Sequence, residues 1–167
     1  MRGQDQPPAP LADATPFRFA VIVSRFNAAI TGSLRDAATA ALKAAGASSV
    51  QVLAVPGAFE IPQAARAAAA SGRFDAIVCL GCVIRGETPH FDYIASAVAH
   101  GITAAAGATG IPMAFGVLTT DTVEQAAARS GPGPDNKGRE AAAAAIEMAV
   151  LYRSLSDPPT RPFGFRV

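Results

Sequence analysis

His90 stands in the stretch Val83-Ile84-Arg85-Gly86-Glu87-Thr88-Pro89-His90-Phe91-Asp92-Tyr93, and the chain has only one other histidine, His100. An apolar run precedes this stretch and a helical pattern follows it, so a glycine-bearing loop leads into a helix start. Thr88 is a suitable N-cap and Pro89 suits the first helical position. A helix begun there aims its free N–H groups and positive end at Gly86 and Glu87, which suits a phosphate. An imidazole beside such an anion can give and take protons near neutrality. The chemistry expected is therefore proton transfer coupled to anion binding. Read alone, His90 is equally compatible with a helix-start histidine that has no chemical role. His100, followed by Gly101, reads as structural or exposed.

The elements that must position this segment are legible as alternating patterns. Phe19-Ala20-Val21-Ile22-Val23, Val50 to Val55, Ala76 to Leu80 and Pro112 to Leu118 read as strands. Helices are expected from about Thr31 to Gly46, from Ile61 to Ser71 before Gly72, and from Pro89 to about Gly107. A short helix from Thr122 to Arg129 and a last one from Lys137 to about Leu155 follow. Such alternation implies a single-domain three-layer α/β/α sandwich around a four-stranded parallel, flavodoxin-like sheet.

Ligands of open parallel sheets collect beyond the carboxyl ends of the strands. Four connections meet there: Ser24 to Asn27, Pro56 to Glu60, Gly86 to His90 and Gly116 to Asp121. Together they suit a flat polar ligand stacked on Phe26, with phosphate near Gly86 and Thr88. By default Phe26 belongs to the core, where aromatic rings usually pack. Glu60 sits among apolar residues and needs either a partner or a polar ligand. Arg129 and Lys137 flank the loop 130–136, and Glu140, one turn beyond Lys137, is placed to pair with it.

Composition narrows the classes. A chain of 167 residues with 50% hydrophobic and 16% charged content makes one globular domain, and a net charge of +1 without a basic face argues against nucleic acid. No apolar run approaches the ~20 residues that span a bilayer, and the first sixteen positions lack a signal-peptide block, so a cytoplasmic location is expected. Cys79 and Cys82 form a C-x-x-C inside an apolar strand-like run, where residues three apart point to opposite faces. Two buried thiols are expected, rather than a redox pair or a metal site. Residues 1–16 read as a flexible arm, 17–155 as the domain and 156–167 as a proline-rich tail. The G-x-G-x-x-G and G-x-x-x-x-G-K-[ST] loops are missing.

Taken in order, Ser24-Arg25-Phe26-Asn27, Pro56-Gly57-Ala58-Phe59-Glu60-Ile61-Pro62, Gly81 to Tyr93, Phe115-Gly116-Val117-Leu118-Thr119-Thr120 and Asn136-Lys137-Gly138 closely resemble the lumazine synthase family of riboflavin biosynthesis. The resemblance runs from Phe19 to about Leu155. It implies condensation of 5-amino-6-(D-ribitylamino)uracil with 3,4-dihydroxy-2-butanone 4-phosphate, without metal or organic cofactor. By the same resemblance Phe26 stacks on the pyrimidine, and Ala58, Phe59, Glu60, Cys82, Val83 and Ile84 line the ring and ribityl pocket. Glu87 and Thr88 hold phosphate, with the Glu87 side chain turned away, and His90 carries protons. Phe115, Arg129 and Lys137 belong to the neighbouring subunit's side of the cleft, Arg129 gripping phosphate and Phe115 closing over the ring. A homopentamer is implied, with an N-terminal arm added to a neighbour's sheet and, in some members, assembly into sixty-subunit shells. The alternative within the resemblance is a non-catalytic shell-forming or flavin-storage paralogue.

Overall fold

The centre of the sheet comes from the two most apolar runs. In β1 (Arg18–Ser24) every residue from Phe19 onward is buried, and in β3 (Ala76–Ile84) burial is continuous through Cys82. Strands covered on both faces lack polar alternation, as in parallel sheets generally. The computed structural model describes residues 10–156. Within it, β2 (Ser49–Val55) and β4 (Met113–Thr120) are the edge strands, and the order is β2-β1-β3-β4 with every pairing parallel. This is the flavodoxin-like order, whose switch point lies between β1 and β3.

Five helices close the two faces. Leu34, Ala38 and Leu42 of α1 (Ala28–Ala44), Ala126 of α4 (Val123–Ser130) and Ala141, Ala145 and Ile146 of α5 (Lys137–Ser156) share one core cluster with Phe19, Val21 and Val78. Ile61, Ala65 and Ala69 of α2 (Ile61–Ala70) and Val98 and Ile102 of α3 (His90–Thr109) share the other with Ala20, Ile22 and Ile77. Alanine dominates both contacts because its small side chain lets helices approach closely. Gly46 and Gly72, at φ 88° and 69°, end α1 and α2 in the left-handed region that glycine enters without strain.

Three boundaries differ from the sequence expectation. β3 continues to Ile84 and β4 to Thr120, pairing Val83 with Thr119 and Ile84 with Thr120, so Gly116 to Thr120 are strand rather than connecting loop. The threonines read as loop because they are polar, yet β-branched side chains fit a pleated edge. α1 begins at Ala28 rather than near Thr31, behind a left-handed Asn27 whose side chain makes no cap. α3 begins at His90, with Pro89 as the N-cap residue and no side-chain cap, so Thr88 does not play the part its type suggested.

Cys79 and Cys82 fall in opposite core clusters, as strand alternation requires. Burial pushes the Cys79 thiol up to about 12 and that of Cys82 to about 11, so neither is a thiolate near neutrality. Both are expected to stay inert to an aromatic disulfide reagent at pH 8 in the folded protein and to react fully in denaturant. Rapid titration of either thiol in the native protein would contradict this placement.

Near the start, the Ala14 N–H donates to Ala45 O at 2.8 Å and Thr15 Oγ1 donates to Gly46 O at 3.1 Å. Leu11 and Ala12 pack against the α1 and α5 core. Residues 1–9 and 157–167, hence nearly all of the expected tail, lie outside the described residues. No helix among the described residues is long and apolar enough to cross a membrane.

Candidate active site

Beyond the switch point, four segments present the residues that the sequence singled out. Phe26 follows β1 and is 72% exposed, so it belongs to neither core cluster and its ring is free to meet a ligand. Its backbone is held by the next residue. Asn27 sits at φ 58°, ψ 50°, a conformation asparagine tolerates, and its Nδ2 donates to Cys82 O at 3.0 Å. The connection after β1 is thereby tied to β3. Asn27 carries no chemistry of its own, and its only sequence signal was its tolerance of positive φ.

After β2, Ala58 is buried and Phe59 exposed, in a single 3-10 turn spanning Ala58–Glu60. Glu60 finds the partner it needs within the turn: its Oε2 accepts the Gly57 N–H at 2.9 Å. On β3 the Cys82 side chain is buried, so only its backbone faces this region, while Val83 and Ile84 are half-buried. Glu87, Thr88 and His90 are exposed ahead of α3, a twenty-residue helix whose unpaired N–H groups face back along the loop.

The loop is fixed at its base by an arginine that the sequence reading passed over. Arg85 Nη1 and Nη2 each donate to Asp92 at 3.1 Å, and Nε donates to Asp121 Oδ1 at 2.9 Å. Its guanidinium carbon lies 4.3 Å from the centre of the Phe91 ring. Hydrogen bonding to Asp92 and then Asp121 raises Arg85 above its already high ordinary value. No sequence pattern marks this set, because Asp121 is contributed by a different strand end.

Phe115, Arg129 and Lys137 come together elsewhere. They line a cavity of about 520 Å³ along the free edge of β4, with Lys137, Glu140, Ala141 and Ala144 as one stripe of α5. Phe115 is 47% exposed there. Lys137 pairs with Glu140, as its spacing suggested, and Arg129 Nη1 donates to Gln125 O at 2.9 Å. Buried Asn136 sets this geometry: its Nδ2 donates to Ser130 O and Gly131 O at 2.9 and 3.0 Å, and its Oδ1 accepts the Gly138 N–H at 2.8 Å. One amide thus closes the α4–α5 turn and begins α5. None of Phe26, Glu60, Thr88 or His90 lines this cavity, so the candidate residues fall into two separate groups.

Residues 16–153 match the family described as 6,7-dimethyl-8-ribityllumazine synthase. The chain belongs to that family. Among its relatives, the 6,7-dimethyl-8-ribityllumazine synthase of Syntrophus aciditrophicus (strain SB) is 52% identical over 140 residues, covering 83% of this chain and 91% of the relative. The match spans both groups of residues, from the connection after β1 to α5. In this member of the lumazine synthase family, Phe26 follows β1, Glu60 follows β2 and the Gly86 to His90 loop follows β3. The cationic cavity lies on the outer edge of β4.

Proposed function

We propose that the chain is a transferase of riboflavin biosynthesis. It condenses 5-amino-6-(D-ribitylamino)uracil with 3,4-dihydroxy-2-butanone 4-phosphate to 6,7-dimethyl-8-ribityllumazine, releasing phosphate and water. The observation that carries this reading is family membership over residues 16–153, reinforced by the 52% identical synthase. The same relationship disfavours a non-catalytic shell or storage role.

In this mechanism the pyrimidine stacks on exposed Phe26, with Ala58, Phe59 and the backbone from Cys82 to Ile84 as walls. Glu60 serves through the shape of its turn, since one carboxylate oxygen is engaged by Gly57. The pyrimidine amine attacks the ketone and loses water to give an imine. A proton leaves the adjacent carbon and phosphate departs, received by the N–H groups around Glu87 and Thr88 and by Arg129. The second amine then closes the ring with loss of water. His90 carries the protons, and positive charge placed where phosphate develops stabilises that step.

The active particle is a homopentamer, which some members of the family extend to a closed shell. The separation of the β4-edge cavity from the His90 loop supports this: Phe115, Arg129 and Lys137 of one copy complete the cleft of the next. The expected location is the cytoplasm, and the expected partners are the two small molecules and further copies of the chain.

Purified protein supplied with both substrates is expected to develop lumazine fluorescence together with stoichiometric inorganic phosphate. Product formation no faster than the uncatalysed mixture would overturn the reading.

A further inference from the structure

We propose that Arg85 is a positioning residue for the reaction: its fork to Asp92, its contact with Phe91 and its bond to Asp121 hold His90 and the Gly86 to Thr88 loop in register with the end of β4. The inference rests on the functional reading above.

Three features carry it. Phe91 and Asp92 directly follow His90, so the ring contact and the two-pronged hydrogen bond both act on the first turn of α3. Asp92 closes a loop that begins at Arg85 itself and contains Glu87 and Thr88, the phosphate residues that precede α3, so the pair sets the loop's span. Arg85 is also anchored through its main chain, where its N–H donates to Thr120 O at 2.9 Å. The turn is therefore referenced to the sheet rather than to the mobile tip of a side chain. Thr88 supplies no cap, whereas Arg85 reaches the first turn of the helix through both Phe91 and Asp92.

The requirement is for a fork, which lysine cannot supply. Arg85, Asp92 and Asp121 are all substantially exposed, at 43%, 59% and 67%. Exposed ion pairs add little to stability. A displacement of about 1 Å at a reacting group, in contrast, can cost up to ~10²-fold in rate. The consequence of losing the fork is therefore kinetic, not structural.

The test compares the parent with Arg85→Lys, Asp92→Asn and the double variant, in oligomers of unchanged mass and circular dichroism. Arg85→Lys is expected to lower kcat roughly 10- to 50-fold, on the order of a sub-ångström to one-ångström misplacement. It should also raise KM for the butanone phosphate several-fold and leave KM for the pyrimidine unchanged. Asp92→Asn should reproduce the pattern, and the double variant should fall no further, because both changes remove one interaction. In Arg85→Ala, low non-denaturing guanidinium should restore part of kcat; if that variant does not fold, the lysine and asparagine variants decide. A parent that makes no product overturns the functional reading and this proposal with it. An active parent matched by Arg85→Lys in kcat and both KM values, or variants whose losses only track the fraction of folded protein, overturn this proposal alone.

Discussion

Mixing a His90→Ala protein with an Arg129→Ala protein is expected to restore activity that neither has alone. His90→Ala removes the proton carrier, a loss of about 10²–10⁴ in kcat for general acid–base groups. Arg129→Ala removes a charge-assisted partner of the departing phosphate, a contact of roughly 1.5–3 kcal/mol and hence on the order of 10- to 10²-fold. In a site built inside one chain, each variant would be crippled everywhere and mixing would change nothing. Here Arg129 lines the cavity on the outer edge of β4, while His90 stands at the start of α3 outside it. If adjacent copies share each cleft, random one-to-one co-assembly leaves about a quarter of the interfaces with both intact halves. The measurement is the phosphate-release rate of co-refolded oligomers, set against each variant refolded alone. Mixed oligomers of parent mass with no gain in rate would show that both residues serve the same chain's site.

Gly138→Ala is expected to be the most damaging single-methyl change in the described domain. A Cβ built at Gly138 would lie 2.0 Å from Leu34 O, 2.7 Å from Leu34 C and 2.8 Å from Leu34 Cα. These are backbone atoms of α1, so no rotamer change relieves the clash. The first turn of α5 would have to separate from α1, against which α5 makes its closest helix packing. Overpacking a core costs typically 1–3 kcal/mol, and a clash with main chain lies at or beyond the upper end. About 3 kcal/mol corresponds to a fall of roughly 10 °C in Tm for a domain of this size. Activity should fall as well, because Lys137 and the Asn136 amide move with the same turn. Gly107→Ala supplies the contrast. It lies on α3 with nothing within 4 Å of an added Cβ, and it should gain about 0.5–1 kcal/mol from helix propensity. Equal unfolding midpoints for the two variants would refute the packing argument.

Much of the fold was readable because it rests on short-range rules. The runs around Val21, Val52, Val78 and Ala114 are apolar and β-branched enough to be strands, and glycine at positions 46 and 72 marks where helical periodicity ends. The opposite facing of Cys79 and Cys82 follows from strand geometry alone. Family membership was also legible, since five short blocks stand in the same order and register. Where local type misled, a tertiary partner had intervened. Thr88 yields the anchoring of α3 to Arg85, and Thr119 and Thr120 become strand because β3 continues alongside them.

The amino-acid order by itself determined a parallel α/β sandwich, its two families of helices and the identity of the residues able to do chemistry, because period and residue type act within a few positions of the chain. Which of those residues share a cavity was decided only by the packed structure. Phe115, Arg129 and Lys137 are brought together by the closure of α4 and α5 on the edge of β4, apart from Phe26, Glu60 and His90, whose strand-end connections the element pattern had already grouped. The packed structure likewise decided the bonds from Arg85 to Asp121 and from Asn27 to the Cys82 carbonyl, which join distant positions of the chain. A hydrogen bond depends on an approach of about 3 Å, and only the folding of distant segments onto one another brings such groups within that reach.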